Sequence, residues 1–478
     1  MLRGIVMNKE KLQKLHDASM KILADTGMKF HHPEAVQILK DNGIRMKDNV
    51  AFFTEEQLMY WVRKAPGTFT LYARNPEHNV VIGGDRINPA PPYGAPSIME
   101  KNGKKRDGTI ADYVNYAKLF HVNEDYHING GIMIQPNDVD IPTSSLAMFY
   151  AALTHTDKAL MISTGKRECI EAMVEAAALL FGGKEQLKKY PRMLTIVNIN
   201  TPLQLDVTMT DVLLTMAKSG QPFVAANCAM AGSTSPMTLA GTIAMTNAEV
   251  LSTIALTQMV NSGTPVLYAS QSTTADMASG QIAVGGPEGA LCYKYTAQLA
   301  KFYGLPCRGG GAITDSKVVD AQAGYESMLT LMADWSNNMN LIIHSAGILD
   351  GYNSTSYEKL IQDFEILRYV KRYFKDIEVN EDTIPLELIG EVGHTGEFLT
   401  SEHTLEYCRQ EPLEPTISSR GVVADPVNQM MSRIESRCAQ MLAGYRRPEL
   451  DSAVLTKIKD ILSDAGIDRG VLDKIETM

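Results

Sequence analysis

The chain has 478 residues, 45% hydrophobic and 21% charged, with a formal net charge of −10. A large globular core is affordable on that composition, and the lack of any lysine–arginine block excludes sequence-independent nucleic-acid binding. Six scattered cysteines with no CxxC pair exclude a disulfide scaffold, no signal-peptide pattern opens the sequence, and no uninterrupted apolar run nears ~18 residues, so the expectation is a cytoplasmic protein without membrane segments.

Residues 9–27 carry helical amphipathic spacing that stops at Gly27, and 28–86 look like a small α+β cap containing the β-rich stretch "TFTLYAR". Eight short apolar runs follow: 87–95, 127–134, 159–165, 193–200, 222–230, 265–271, 306–313 and 341–347. Helical patterns separate them. In "ECIEAMVEAAALLFG", for instance, Ile170, Met173, Val174, Ala177, Leu180 and Phe181 recur at helical spacing. Several linkers read Gly-x-Pro before a run ("SGQPF", "SGTPV", "YGLPC"), with glycine ending the helix and proline opening the strand. Strands alternating with helices predict a parallel sheet, because parallel neighbours need crossover connections. Eight units predict a (β/α)8 barrel over 87–354, with an open doubly wound sheet as the alternative. Residues 1–86 form the cap and 355–478 a helical C-terminal extension. "KNGKKRDG" at 101–108, the densest basic run, reads as a solvated hairpin turn.

A barrel keeps its chemistry at the carboxyl ends of its strands. Those ends offer Tyr93, Gln135, Asn198, Asn200, Asn227, Tyr268, Gln271, Arg308 with Gly309, Gly310 and Gly311, and His344. Amides, phenols, one guanidinium and one imidazole dominate. Paired carboxylates are missing, as are a GxSxG elbow and a P-loop, which removes the commonest hydrolase and nucleotide-binding classes. The triple glycine fits a close-approach backbone wall, an anion nest or a plain turn. His344 is either a satisfied histidine at the core's edge or a functional group at a strand end. Tyr93, Tyr268 and Tyr295 are candidates for an aromatic cage around a quaternary ammonium, or ordinary packing. His394, Glu397, His403 and Cys408 lack the spacing of a zinc site, so no metal is expected there.

The stretches "TDSKVVDAQAGYES" (314–327), "HSAGILDGYNSTSYEKLIQDFEI" (344–366) and "VGHTGEFLTSEHTLEYCRQEPLEP" (392–415) closely resemble the trimethylamine methyltransferase (MttB) family, and the match runs through the whole chain. One departure is "EPLEP", where the family carries a tryptophan before the second proline. The resemblance implies a (β/α)8 barrel that moves a methyl group from an amine to the cobalt of a partner corrinoid protein. Every position is a standard residue, which points to the branch without pyrrolysine and to quaternary amines such as glycine betaine, proline betaine, carnitine or γ-butyrobetaine. The resemblance also implies that no cofactor is tightly bound in this chain, and that cobalamin (the corrinoid) would arrive on a partner docking at the barrel mouth. A homo-oligomer is expected.

The chemistry agrees with the residues. A quaternary nitrogen leaves as a neutral amine, so methyl transfer needs no general acid; it needs in-line positioning and a pocket poor in water. His344 is then expected to orient substrate or partner as a donor. Substrate binding is expected from Tyr93, Tyr268, Gln271, Asn200, Asn227, Gly309, Gly310 and Arg308, the last as anchor for a betaine carboxylate. The competing use of Arg308 is a salt bridge to Asp315 or Asp320. Two other functions stay open: a zinc-dependent cobalamin methyltransferase and a non-enzymatic betaine-binding protein.

Overall fold

All eight β-rich runs become strands of one parallel sheet: β1 (Asn88–Pro89), β2 (Ile128–Gly130), β3 (Ala159–Met161), β4 (Met193–Ile199), β5 (Phe223–Asn227), β6 (Val266–Ser270), β7 (Cys307–Gly309) and β8 (Leu341–Ile342). The computed structural model describes residues 8–425 and 427–478; residues 1–7 and Pro426 lie outside the described set. From β2 to β8 each strand pairs with the next in chain order, and β8 returns to β1 with Leu341 opposite Asn88. Between β1 and β2 the ladder is completed just beyond the strands, by Gly94 N–H to Ile132 O (2.7 Å) and Gln135 N–H to Ala95 O (2.9 Å). The sheet therefore closes as a barrel, and the open alternative falls.

Helices α1 (Ile110–Val122), α2 (Ser144–His155), α3 (Arg167–Leu180), α4 (Val207–Lys218), α5 (Leu239–Val260), α6 (Pro287–Tyr303), α7 (Ala321–Ser336) and α8 (Tyr357–Phe374) each follow their strand. Local signals set their ends. Thr109 and Asp112 form a capping box at α1, Asp206 accepts from Met209 N–H at 2.7 Å to cap α4, and Gly304 closes α6 in the left-handed conformation before Pro306 opens the run into β7. The eighth barrel helix begins beyond residue 354, capped by Ser356, so the barrel ring takes in the first part of the predicted extension.

Small and branched residues fill the barrel: Ala90, Ile128, Ala159, Leu194, Ile196, Val224, Ala226, Leu267, Ala269, Leu341 and Ile343. "TFTLYAR" forms one arm of a hairpin (Thr68–Leu71 with Val80–Gly83) whose Phe69, Leu71, Val80 and Ile82 join that same core. Its bonds to Pro191 and Asp157, which precede β4 and β3, place it across the amino-terminal end as a plug. That end is shut, and access is left to the carboxyl ends of the strands. "KNGKKRDG" is a hairpin turn, with Ser97–Met99 pairing antiparallel to Lys105–Asp107.

The N-terminal helix Lys9–Asp25 packs on α5, and Ser19 Oγ donates to Ala244 O at 2.7 Å. Helix α5 is long and apolar enough to span a membrane by length and composition, a run that its threonines mask in the sequence; here Thr242–Gln258 are buried inside the protein. After α8, helices Gln429–Gly444, Ser452–Asp464 and Arg469–Thr477 pack outside α8 and α1, α3, and α2. Glu365 of α8 ties this return down by accepting N–H bonds from Thr416, Ile417 and Ser418.

Candidate active site at the carboxyl ends of the strands

Strand β7 alternates. Cys307 and Gly309 face the helices, and Arg308, opposite Ala269 of β6 and Leu341 of β8, faces the barrel interior. Its side chain is among the largest fully buried ones in the protein. Among the described residues no carboxylate comes within ion-pair distance of it, and its Nε is buried with no hydrogen-bond partner. Asp315 instead accepts from Val284 and Gly285 N–H, and Asp320 caps α7, so neither neutralises the guanidinium. Burial drags the arginine's pKa down from its ordinary value, against the opposing influence of Tyr352, Tyr293 and Asp334. A buried cation with unsatisfied donors is costly, and an anionic ligand relieves that cost.

His344 lies just past β8, as predicted for the eighth strand's carboxyl end, with φ 62°. Tyr93 N–H donates to its Nδ1 at 3.1 Å. A backbone N–H can only donate, so Nδ1 is unprotonated and the neutral ring carries its proton on Nε2. Burial, then the charge of Arg308, holds the imidazole pKa well below its usual value, so the ring is neutral at physiological pH. Tyr93 projects into the barrel top, where its hydroxyl accepts from Thr164 N–H at 3.2 Å and reaches Ile162 O at 3.4 Å.

Gln271, two residues beyond inward-facing Ala269, donates from Nε2 to the Tyr352 hydroxyl at 2.9 Å, and its Oε1 is buried without a partner. The Tyr352 ring lies against His344, centroids 4.9 Å apart. Tyr352 reaches this place through three consecutive left-handed residues: Asp350 (φ 54°), Gly351 (φ 55°) and Tyr352 (φ 75°). For two non-glycine residues that conformation is strained. It is held by Asp350 N–H to Ser316 O (2.8 Å), by Gly351 N–H to Thr314 O (3.1 Å), and by ion pairs of Asp350 with Lys105 and Lys317. Sequence reasoning missed Tyr352, although it stands inside the quoted motif at 344–366; its signal is the unusual "LDGY" turn.

Cys228 was also passed over. Its thiol reaches Gln271 O at 3.6 Å, and burial pushes it up to about 11 against the charge of Arg308. Exposed Asn198, on the inward face of β4, stands at the same end of the barrel.

Other predicted residues lie elsewhere. Tyr268 is flanked by inward-facing Leu267 and Ala269, so it points out into the helical layer, where its hydroxyl donates to Asn247 Oδ1 at 2.9 Å. Asn227 likewise points outward, donating to Thr246 O and Glu249. Asn200 sits in the exposed turn after β4, its Oδ1 accepting from Asp206 N–H at 3.1 Å. Gly309 and Gly310 make a close-approach wall, but the protein itself approaches: added β-carbons would meet Asp334 Oδ1 at 2.2 Å and the Tyr293 ring and hydroxyl at 2.3 Å. Tyr295 lines a groove with Leu15, Leu239 and Leu291 on the outer surface. His394, Glu397, His403 and Cys408 belong to an exposed segment, with Glu397 accepting from Leu399 N–H and Thr400 Oγ1. Among the described residues no three His, Cys, Asp or Glu side chains cluster so as to hold a metal ion.

The family model described as trimethylamine methyltransferase (MTTB) matches residues 3–464. A glycine betaine methyltransferase of Desulfitobacterium hafniense (strain Y51) is 41% identical over 468 residues, covering 97% of this chain and 98% of that protein. The proline betaine:corrinoid methyltransferase and the L-carnitine:corrinoid methyltransferase of Eubacterium limosum are 27% and 28% identical, covering 95% and 94% of this chain and 95% of each relative. In fold, the chain is similar to the Methanosarcina barkeri monomethylamine methyltransferase (MtmB), with a TM-score of 0.53 at 11% identity over 97% of this chain and 89% of that one. A matching family model over almost the whole length, on a barrel whose strand ends hold the site, makes this chain a member of the trimethylamine methyltransferase family.

Proposed function

We propose that the protein is a betaine:corrinoid methyltransferase, which takes one methyl group from a quaternary ammonium that also bears a carboxylate and passes it to a corrinoid carried by a partner protein. The observation that carries this reading is Arg308, a guanidinium buried at the barrel's open end that makes no ion pair among the described residues and leaves its Nε unbonded. A trimethylamine-like substrate offers nothing to it; a betaine carboxylate can take two parallel hydrogen bonds from the fork. The relatives named for glycine betaine, proline betaine and carnitine support the same substrate class.

The residues divide the work by chemistry. Arg308 holds the carboxylate, and His344 offers its Nε2–H as a second neutral donor. The faces of Tyr93 and Tyr352 receive the ammonium, which has no N–H to hydrogen-bond. Co(I) of the partner's corrinoid supplies the electron pair for the new carbon–cobalt bond, while the carbon–nitrogen pair stays on nitrogen. No proton moves, and the site is built accordingly: His344 is kept neutral and the Cys228 thiol protonated. Fixing both ends of the substrate aims one methyl at the open mouth, where the corrinoid protein docks. The protein acts in the cytoplasm on this reading, and self-association is assigned to the exposed Ile377, Val379, Leu386, Leu399 and Leu405 beyond α8.

Calorimetric titration of the protein with glycine betaine, proline betaine, carnitine and trimethylamine tests the proposal. Betaines are expected to bind and trimethylamine to bind far more weakly; equal affinity for trimethylamine would remove the role of Arg308. A pure binding protein is separated by single-turnover methylation of Co(I) cobalamin, which it would not perform.

A further inference from the structure

Asp334 is a buried acid that methyl transfer leaves unexplained. It lies in α7 with no exposed surface. Its Oδ2 accepts Gly311 N–H at 2.7 Å, while Oδ1 is buried with no partner. A β-carbon on residue 309 would fall 2.2 Å from that Oδ1, so glycine beside Arg308 is what lets the carboxylate lie against β7. On the opposite face of the same strand the Arg308 guanidinium is buried, its Nε also orphaned. Two opposite charges thus flank one strand, each incompletely satisfied, with no ion pair between them.

We infer that Asp334 is the counter-charge of Arg308 in the empty site and takes up a proton from solvent when a substrate carboxylate binds the guanidinium. This rests on the carboxylate-binding role proposed for Arg308. A second anion brought to the same cation in a poorly solvated interior disfavours two ionised carboxylates, and the one without a full set of donors is the one that protonates. The substrate's cationic end is aimed at the mouth, away from β7. Asp334 is poised for this: burial pushes it up to about 7, against the Gly311 N–H and Arg308.

The surrounding groups do not compete. From β7, Cys307 is pushed up to about 11 by burial, and from α6 Tyr293 is raised further, so both stay neutral. Just past Asp334, at the C-terminal end of α7, Lys301 of α6 is bonded to Asn337 O at 3.0 Å and Asp85 accepts from Asn338 at 3.3 Å, so both are engaged by other partners. From α8, Lys359 and Asp363 neutralise each other. Asp334 is therefore a positioning residue, acting on substrate through Arg308.

Proton uptake makes binding weaken as pH rises above the free-site value, because the bound state then holds a proton that the free state has lost. Titration calorimetry of the full chain with glycine betaine, in two buffers of different ionisation enthalpy, is expected to show uptake of about half a proton near pH 7.5. Choline, a quaternary ammonium without a carboxylate, is expected to cause none. In Asp334→Asn the uptake is lost, and the several-fold weakening of betaine between pH 7 and pH 8.5 flattens. Betaine binding with no proton uptake, or uptake retained in Asp334→Asn, overturns the inference while leaving the substrate reading intact. Absence of binding by glycine betaine, proline betaine and carnitine alike overturns both. The two-buffer measurement on the unmodified chain stands whether or not the variant folds.

Discussion

Replacing Arg308 by methionine is expected to move stability and substrate affinity in opposite directions. In the free protein the guanidinium is fully buried, makes no ion pair among the described residues, and leaves Nε unbonded. Exchanging such a charge for an apolar side chain of similar length removes a desolvation cost, and Asp334, which makes no ion pair with the guanidinium and is already pushed up to about 7 by burial, takes up a proton in its absence, so the change is neutral or stabilising by about 1–4 kcal/mol. A bound betaine, in contrast, loses its counter-ion in a buried site, which costs about 2–5 kcal/mol, or roughly 30- to 4,000-fold in affinity. Thermal denaturation and calorimetric titration read the two effects separately. The expected result is an unchanged or raised Tm together with nearly abolished glycine betaine binding. Arg308→Lys, which keeps the charge but loses the fork, is expected to raise KM and lower kcat. A methionine variant that unfolds at lower temperature yet binds betaine normally would show that Arg308 is structural.

Replacing Tyr93 and Tyr352 together by leucine is expected to weaken quaternary ammonium binding by about 1–2 kcal/mol, and unchanged affinity would mean that the rings only pack. Tyr268→Phe is expected to leave KM unchanged and to cost about 1–3 kcal/mol of stability, because buried Asn247 loses its donor; a shifted KM would return Tyr268 to the site. Glu365 pays for burial, but bonds from Ser418 and Thr416 hold it down at about 2. Its contribution is complete above the unfolded value near 4.3 and is lost as pH falls through the folded one. Amide exchange at Thr416–Ser418 is therefore expected to accelerate between about pH 4.5 and pH 2 relative to the barrel strands, and uniform protection across that range would contradict the role.

The strands were legible because each is short, apolar and bracketed by Gly-x-Pro or a helix cap, and eight of them in alternation allow few topologies. Which face a strand residue takes was not legible. A parallel barrel strand is buried on both sides, so "PVLYASQ" is apolar at Val266, Leu267, Tyr268 and Ala269 alike and shows no alternation to separate inside from outside. Tyr268 and Asn227 fell on the wrong side of that ambiguity; Arg308 and Gln271 fell on the right one. Tyr352 was invisible for a different reason. It enters the site through a left-handed turn held by Lys105 and Lys317, 247 and 35 residues away in the chain, and no local pattern encodes such a long-range clamp. The hairpin at 68–83 had the right secondary structure, but its place beneath the barrel follows from tertiary packing alone.

On the function proposed above, a carboxylate-bearing quaternary amine gives up one methyl group at this site to Co(I). Mixing the protein with glycine betaine and a Co(I) corrinoid protein, and following the corrinoid absorbance while dimethylglycine is quantified, tests it directly. Conversion of Co(I) to methyl-cobalt is expected, with one dimethylglycine per methyl transferred, and the same stoichiometry of demethylation for whichever betaine binds best. Methylation of Co(I) from trimethylamine but from no betaine would contradict it.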